Sequence, residues 1–169
     1  MKISQNKQTM QKINQYNVIY IDFSRVSVNN TSYHSYIENI INILKGDLHQ
    51  AYADVIYREG SSVSEDLERI TAATGERFIF IFDEWDAIFH ASFITEADRK
   101  SYLLFLKDLL KDRAYVYLAY MTGVLPISKY TSGSELNSFA EYNMATMVLY
   151  SDVFGFTDAE VDELFARYR

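Results

Sequence analysis

The stretch that most constrains the fold is residues 77–89, which read RFIFIFDEWDAIF. Five apolar residues, Phe78 to Phe82, lead without a polar interruption into Asp83 and Glu84. A short apolar run of this kind predicts a strand that is buried on both faces, as in a parallel sheet. Functional groups in such sheets gather at the carboxyl ends of the strands. We therefore expect Asp83 and Glu84 at a functional edge. There one carboxylate can hold Mg2+ through water and the other can take a proton from an attacking water.

Composition narrows the class of protein. The chain has 169 residues, 49% of them hydrophobic and 15% aromatic, which is typical of a single folded domain. The formal charge of −7 disfavours a nucleic-acid surface, because phosphate binding needs a basic patch. The sequence contains no cysteine, so disulfides and thiolate metal sites are excluded. The polar N-terminus and the absence of any apolar run of ~20 residues predict a cytoplasmic protein without a membrane span.

Apolar periodicity predicts strands that alternate with helices. The predicted strands are Val18–Phe23, Phe78–Phe82, Tyr115–Met121 and Met144–Leu149; the predicted helices are Tyr33–Tyr57, a short helix that follows the Ser62 and Glu65 capping box and ends at Gly75, Glu96–Lys111, and Asp158–Tyr168. This order predicts the α/β class. A strand, a helix and a second strand form a crossover unit, so neighbouring strands are expected to be parallel.

Several polar and aromatic residues are better explained by structure than by chemistry. Asp22 is expected to cap the turn after its strand, and Trp85 and Phe89 are expected to pack. His90 has no second His or Cys at ligand spacing, so a zinc site is not predicted. Lys129 is interpreted as a solvated side chain rather than a phosphate ligand.

The sequence also carries a family resemblance. Four apolar residues followed by Asp-Glu are the Walker B pattern of P-loop ATPases, a pattern that chance alone produces often. The strings VIYIDFSR, FIFIFDEWDAIF, AYMTGVLPISKY and FGFTDAEV occur in this order over most of the chain. Together they resemble the bacterial AAA-ATPase-like family.

The resemblance implies a fold, a set of ligands and a set of site residues. The implied fold is a three-layer P-loop NTPase-like core with a mostly parallel sheet in residues 1–156, and residues 157–169 begin a C-terminal lid helix. The implied ligands are ATP and Mg2+. In the implied roles, Asp83 binds magnesium and nucleotide and Glu84 is the general base. Thr122, at the tip of the third strand, senses the γ-phosphate or orients water.

One family motif does not occur in the sequence. Family members carry a GxxxxGKS or GxxxxGKT phosphate loop upstream of the VIYIDFSR block, and neither pattern is present. We therefore expect a fragment or truncated form that lacks its first strand and phosphate loop and is inactive as an ATPase alone. The family's sheet places that strand between the third and the last, so we also expect an exposed sheet edge that favours self-association.

Two other functions remain open at this point. The first is a non-enzymatic interaction domain derived from a decayed ATPase. The second is an unrelated Mg2+-dependent phosphoesterase that uses Asp83, Glu84 and Asp86, although the second cluster of metal ligands needed by such sites is missing. Asp86 has no assigned role in the ATPase interpretation.

Overall fold

The structure is a computed structural model, and it describes residues 5–26, 30–127, 139–142 and 156–168. The chain divides into two compact units, residues 1–138 and 139–169. The predicted strand Met144–Leu149 and the side chain of Lys129 lie outside the described residues. In the second unit the helix Asp158–Tyr168 forms as predicted, with the Thr157 hydroxyl donating to the Glu160 carboxylate at 3.0 Å.

The described residues of the first unit contain three parallel strands: β1 (Asn17–Asp22), β2 (Phe78–Asp83) and β3 (Val116–Met121). Their order across the sheet is β1-β2-β3, so the strand of the acidic motif is central. Asp22 pairs in register with Asp83, and Phe82 pairs with Met121. The α/β class and the parallel pairing are therefore confirmed.

Seven helices are present among the described residues: α1 (Lys7–Met10), α2 (Phe23–Val26), α3 (Tyr33–Ala51), α4 (Val63–Thr74), a short 3-10 helix (Ala87–His90), α5 (Glu96–Leu110) and α6 (Asp158–Tyr168). The α3 helix continues through Gly46 but ends at Ala51 rather than at the predicted Tyr57. The capping box of Ser62 and Glu65 begins α4 as predicted, and Gly75 ends it with a left-handed φ of 74°. Of the helices described, none combines the length and the apolar character needed to cross a membrane.

The core lies on one face of the sheet. Phe78, Phe80 and Phe82 of β2 are all buried there. Phe82 meets Phe23 of α2 edge to face at 5.2 Å, and Phe23 meets Tyr102 of α5 at 5.8 Å. The α4 helix contacts both α3 and α5, so these helices form one continuous layer.

The opposite face of the sheet is only partly covered. Ile79 and Ile81 of β2 are half-buried, and Val18, Tyr20, Leu118 and Tyr120 on the flanking strands are exposed. The prediction that β2 is buried on both faces is therefore wrong. An apolar run shows that both faces are apolar, but it does not show which faces other elements cover. The described part of the first unit has two layers, and the third remains a prediction.

A buried ionic cluster joins α3 to α4. The Asp66 side chain is fully buried and accepts a hydrogen bond from the Ser61 hydroxyl. His49 Nε2 lies 2.8 Å and Lys45 Nζ lies 3.6 Å from Asp66 Oδ2. A carboxylate can only accept here, so Nε2 of His49 carries the proton that it donates. The cluster therefore ties the second half of α3 to the first turn of α4.

Candidate functional site

Two neighbouring strand ends bring together the polar residues that the sequence indicated. Asp83 ends β2, and Thr122 follows β3 directly. The Thr122 hydroxyl donates a hydrogen bond to Oδ1 of Asp83, and the Thr122 amide donates to the Phe82 carbonyl at 2.8 Å. The Glu84 amide in turn donates to the Thr122 hydroxyl at 3.4 Å. Asp83 and Thr122 therefore form one polar unit at the carboxyl edge of the parallel sheet, where such sheets place their functional groups.

Glu84 differs from its neighbours in backbone and in exposure. Its φ is 50°, in the left-handed region that a residue with a Cβ rarely adopts. Its side chain is exposed at the same edge. The residue predicted as the general base therefore stands in contact with water, next to the Asp83–Thr122 unit.

Tyr20 of β1 is part of this edge, and the sequence did not single it out. Its hydroxyl donates to Oδ2 of Asp83 at 3.3 Å. Desolvation raises the pKa of Tyr20, and the negative charge of Asp83 raises it further, so the phenol remains a donor. Only the register of β1 against β2 reveals this contact, since sixty-three positions separate the two residues.

Asp22 ends β1 beside Asp83, but its carboxylate caps the turn that follows β1. Its Oδ1 accepts from the Ser24 amide at 3.1 Å and from the Ser24 hydroxyl at 2.6 Å, and its Oδ2 pairs with Arg25 at 2.8 Å. The hydrogen bonds from Ser24 lower the pKa of Asp22 below its ordinary value, and the Arg25 charge adds to this effect. The predicted capping role is confirmed.

The aromatic residues after Glu84 pack as predicted. Trp85 and Phe89 are buried and meet edge to face at 5.5 Å. The hydroxyl of Tyr102, which is fully buried on α5, donates to the Trp85 carbonyl at 2.6 Å. Trp85 therefore anchors the chain directly after the acidic pair to the core.

Asp86 does not share a site with the other two acids. It is 2% exposed, and its carboxylate accepts hydrogen bonds from the amides of Val124 and Leu125. Across the described ranges, no group of three or more His, Cys, Asp or Glu residues is placed to hold a metal ion. Of the three acids, Asp83 and Glu84 thus lie at this edge, with the Thr122 hydroxyl next to Asp83.

A family model described as "Predicted AAA-ATPase" matches residues 1–131. A search of curated proteins and a search of solved structures matched nothing. The family match includes β1, β2, β3 and the whole edge that carries Asp83, Glu84 and Thr122.

Proposed function

The chain belongs to the predicted AAA-ATPase family, and on that premise we propose that it supplies the magnesium- and water-handling part of an ATP-hydrolysing site. Asp83 lies on the magnesium side, Glu84 acts as the general base, and Thr122 orients the attacking water or senses the γ-phosphate. The observation that carries this proposal is the hydrogen bond from the Thr122 hydroxyl to Asp83, which joins two adjacent strand ends beside an exposed acid.

The donor set suits magnesium. Mg2+ prefers oxygen ligands and is commonly held by one or two carboxylates together with water and substrate phosphates. Asp83 offers such a carboxylate, and hydroxyl groups from Tyr20 and Thr122 fix its orientation. When bound, the ion would polarise the phosphate oxygens and neutralise charge that develops on them.

Glu84 suits proton transfer because its backbone conformation exposes its carboxylate. A general base must come within ~2.6–3.2 Å of the proton that it takes, directly or through one water. The left-handed φ of Glu84 turns its side chain out of the sheet and into water, while Trp85 next to it is buried. The carboxylate is therefore available to a water molecule, whereas Asp86 is committed to backbone amides.

The phosphate-binding half of the site is not provided by a recognised motif of this sequence. Neither GxxxxGKS nor GxxxxGKT occurs in the 169 residues. We propose that residues outside this sequence supply those contacts in the complete protein, and that this chain is a fragment or truncated form. On its own it should bind Mg-ATP weakly and turn it over poorly, because the sequence does not contain the motif whose amides and lysine cradle the phosphates.

Trp85 provides a direct test of nucleotide binding. It is the single tryptophan of the chain, it follows Glu84, and it is 4% exposed. We would titrate the protein with Mg-ATP up to ~10 mM, a range chosen because a site without its phosphate loop is weak. The expected result is a saturable fluorescence change that is lost in Asp83→Asn and in samples with ATP but no magnesium.

Two controls make the outcome decisive. Asp47→Asn removes an exposed carboxylate on α3 and should leave the titration unchanged. Far-UV circular dichroism confirms that each variant is folded. No fluorescence change in the folded wild-type chain would overturn the proposal for these residues and would favour the non-enzymatic interaction domain.

A further inference from the structure

Asp86 is a buried acid that the proposed function leaves without a task. Its Oδ2 accepts from the Leu125 amide at 2.7 Å and from the Val124 amide at 3.1 Å, and its Oδ1 lies 3.2 Å from the same Val124 nitrogen. Two successive backbone amides that point at one carboxylate form an anion cradle, and bonds to an ionised acceptor are stronger than neutral ones. Asp86 therefore fills the cradle made by the loop that follows β3.

Gly123 shows how closely this loop approaches the motif. A Cβ at that position would lie 2.5 Å from Asp86 Oδ1 and 2.5 Å from Trp85 Nε1. Both neighbours are nearly fully buried, so neither can move aside cheaply. Glycine is therefore required here by space, and the loop residues 122–125 lie directly against Trp85 and Asp86.

The hydrogen bonds of this region continue the β2–β3 pairing beyond the strands. The Thr122 amide donates to the Phe82 carbonyl at 2.8 Å, and the Trp85 amide donates to the Thr122 carbonyl at 3.0 Å. Asp86 then accepts hydrogen bonds from the amides of Val124 and Leu125, further along the loop. Thr122 is thus fixed on both sides, with Asp86 as the last link of the series.

We propose that Asp86 is a positioning residue that holds the loop 122–125 so that the Thr122 hydroxyl is directed at Asp83. This inference rests on the proposed function, in which Thr122 and Asp83 act together. Asp86 itself touches neither ATP nor magnesium. Asp86 joins the end of β2 to the loop that follows β3, so that the two strand ends form one rigid unit. A substitution of Asp83 or Asp86 should therefore change the conformation at the end of β3.

The first test measures positioning without nucleotide. In Asp86→Ala the amides of Val124 and Leu125 should exchange hydrogen ~10- to 100-fold faster, since each loses a bond to a charged acceptor. Scalar couplings of Thr122 should change from those of one χ1 rotamer to an average. The single indole N–H resonance of Trp85 should shift, because the indole lies against Gly123. Asp86→Asn, which keeps a neutral acceptor, should give smaller changes of the same sign.

A destabilising substitution away from the loop separates the positioning role from a general loosening of the fold. Ile70→Val trims a fully buried side chain on α4 and destabilises the fold mildly without touching the loop. It should leave the Thr122 couplings and the Trp85 resonance unchanged. Unchanged Thr122 couplings in folded Asp86→Ala, or equal changes in Ile70→Val, would overturn the inference.

The second test couples Asp86 to the site. In a double-mutant cycle on the Mg-ATP midpoint, Asp86→Asn should add no further loss once Thr122→Val is present, because both remove the same restraint. Additive losses would overturn the positioning role. If the wild-type chain shows no Mg-ATP response, the proposed function fails, whereas the exchange rates and couplings still decide the role of Asp86.

Discussion

Removing the Asp66 carboxylate should strongly destabilise the first unit. Asp66→Ala would leave the Lys45 ammonium and His49 without their buried counter-charge and the Ser61 hydroxyl without its acceptor. Breaking a buried ion pair by deleting one partner costs ~3–5 kcal/mol. The Lys45 and His49 side chains are 22% and 38% exposed, and Lys45 keeps the Ser61 carbonyl at 2.6 Å, so water and this bond moderate the loss. We therefore expect a cost near the lower limit, ~3 kcal/mol.

Urea unfolding followed by Trp85 emission measures this cost. Trp85 is buried in the folded chain and enters water on unfolding. With an m-value of ~2 kcal/mol/M for a domain of this size, a loss of ~3 kcal/mol lowers the midpoint by ~1.5 M. Asp66→Asn keeps the shape and one acceptor, so its midpoint should lie between those of the wild type and Asp66→Ala. The m-value should stay unchanged, because the variants alter stability rather than the surface exposed on unfolding.

The matched control is Asp47→Ala, which deletes an exposed carboxylate from the same helix that carries Lys45 and His49. Its effect should stay within ~0.5 kcal/mol, as for most surface substitutions. If Asp66→Ala is as mild as Asp47→Ala, the ionic cluster does not hold α3 to α4, and the reasoning from its burial is refuted.

Three further predictions concern strain, pH and association. Glu84→Gly should be ~0.5–1 kcal/mol more stable than Glu84→Ala in urea unfolding. Glycine removes the strain of the left-handed φ of 50°, and the greater conformational entropy that it gives the unfolded chain offsets only part of this gain. Equal urea midpoints for the two variants would contradict strain at this residue. Burial raises the pKa of Tyr33 and Tyr115 to about 12, so the stability that these residues contribute is complete below pH 10 and falls as pH rises from 10 to 12. The absorbance of tyrosinate should therefore rise together with the loss of circular dichroism. Ionisation of all tyrosines while the chain remains folded would contradict this prediction. The exposed apolar side chains on one face of the sheet, such as Tyr20 and Leu118, should give concentration-dependent association in light scattering that Leu118→Lys reduces. A monodisperse wild-type monomer would count against this prediction.

The helix starts could be predicted because their signals are local. Ser62 with Glu65 and Thr95 with Asp98 are each three positions apart, and in both pairs the reciprocal capping bonds form. Side chains that satisfy the amides of their own first turn need no distant partner. Sequence alone therefore places these boundaries to within a residue.

The end of α3 could not be predicted, because a side chain beyond the helix determines it. The Tyr57 hydroxyl donates to the carbonyls of Leu48 at 3.4 Å and Tyr52 at 3.0 Å, and its ring stacks on His49 with centroids 3.8 Å apart. These contacts satisfy the last carbonyls after the chain has turned back at Ala51. Residues 52–57 contain no glycine or proline, so the sequence does not mark the end of the helix.

The acids of the candidate site could be predicted from the sequence, but the contacts that hold them in place, here called supports, could not. Asp83 was indicated because it follows an apolar run, whereas Thr122 was indicated only by the family resemblance. Both residues lie at the carboxyl ends of neighbouring parallel strands. The contacts of Tyr20 with Asp83 and of Asp86 with Leu125 depend on register and on a loop path, which one sequence does not specify. Such supports become visible only when the strands are placed side by side.

The left-handed conformation of Glu84, at the end of β2, explains how an exposed acid and a buried aromatic residue can be adjacent in the chain. If β2 continued straight, alternation would turn Glu84 towards the core and Trp85 towards the open face. The positive φ of Glu84 reverses this, so that Glu84 is exposed and Trp85 is buried. Such a conformation costs ~1–2 kcal/mol, and burial of a large aromatic side chain, together with the Tyr102 bond to the Trp85 carbonyl, offsets it. The exposure of Glu84, the proposed base, is therefore a consequence of the burial of Trp85. A variant in which Trp85 leaves the core should also change the backbone conformation of Glu84.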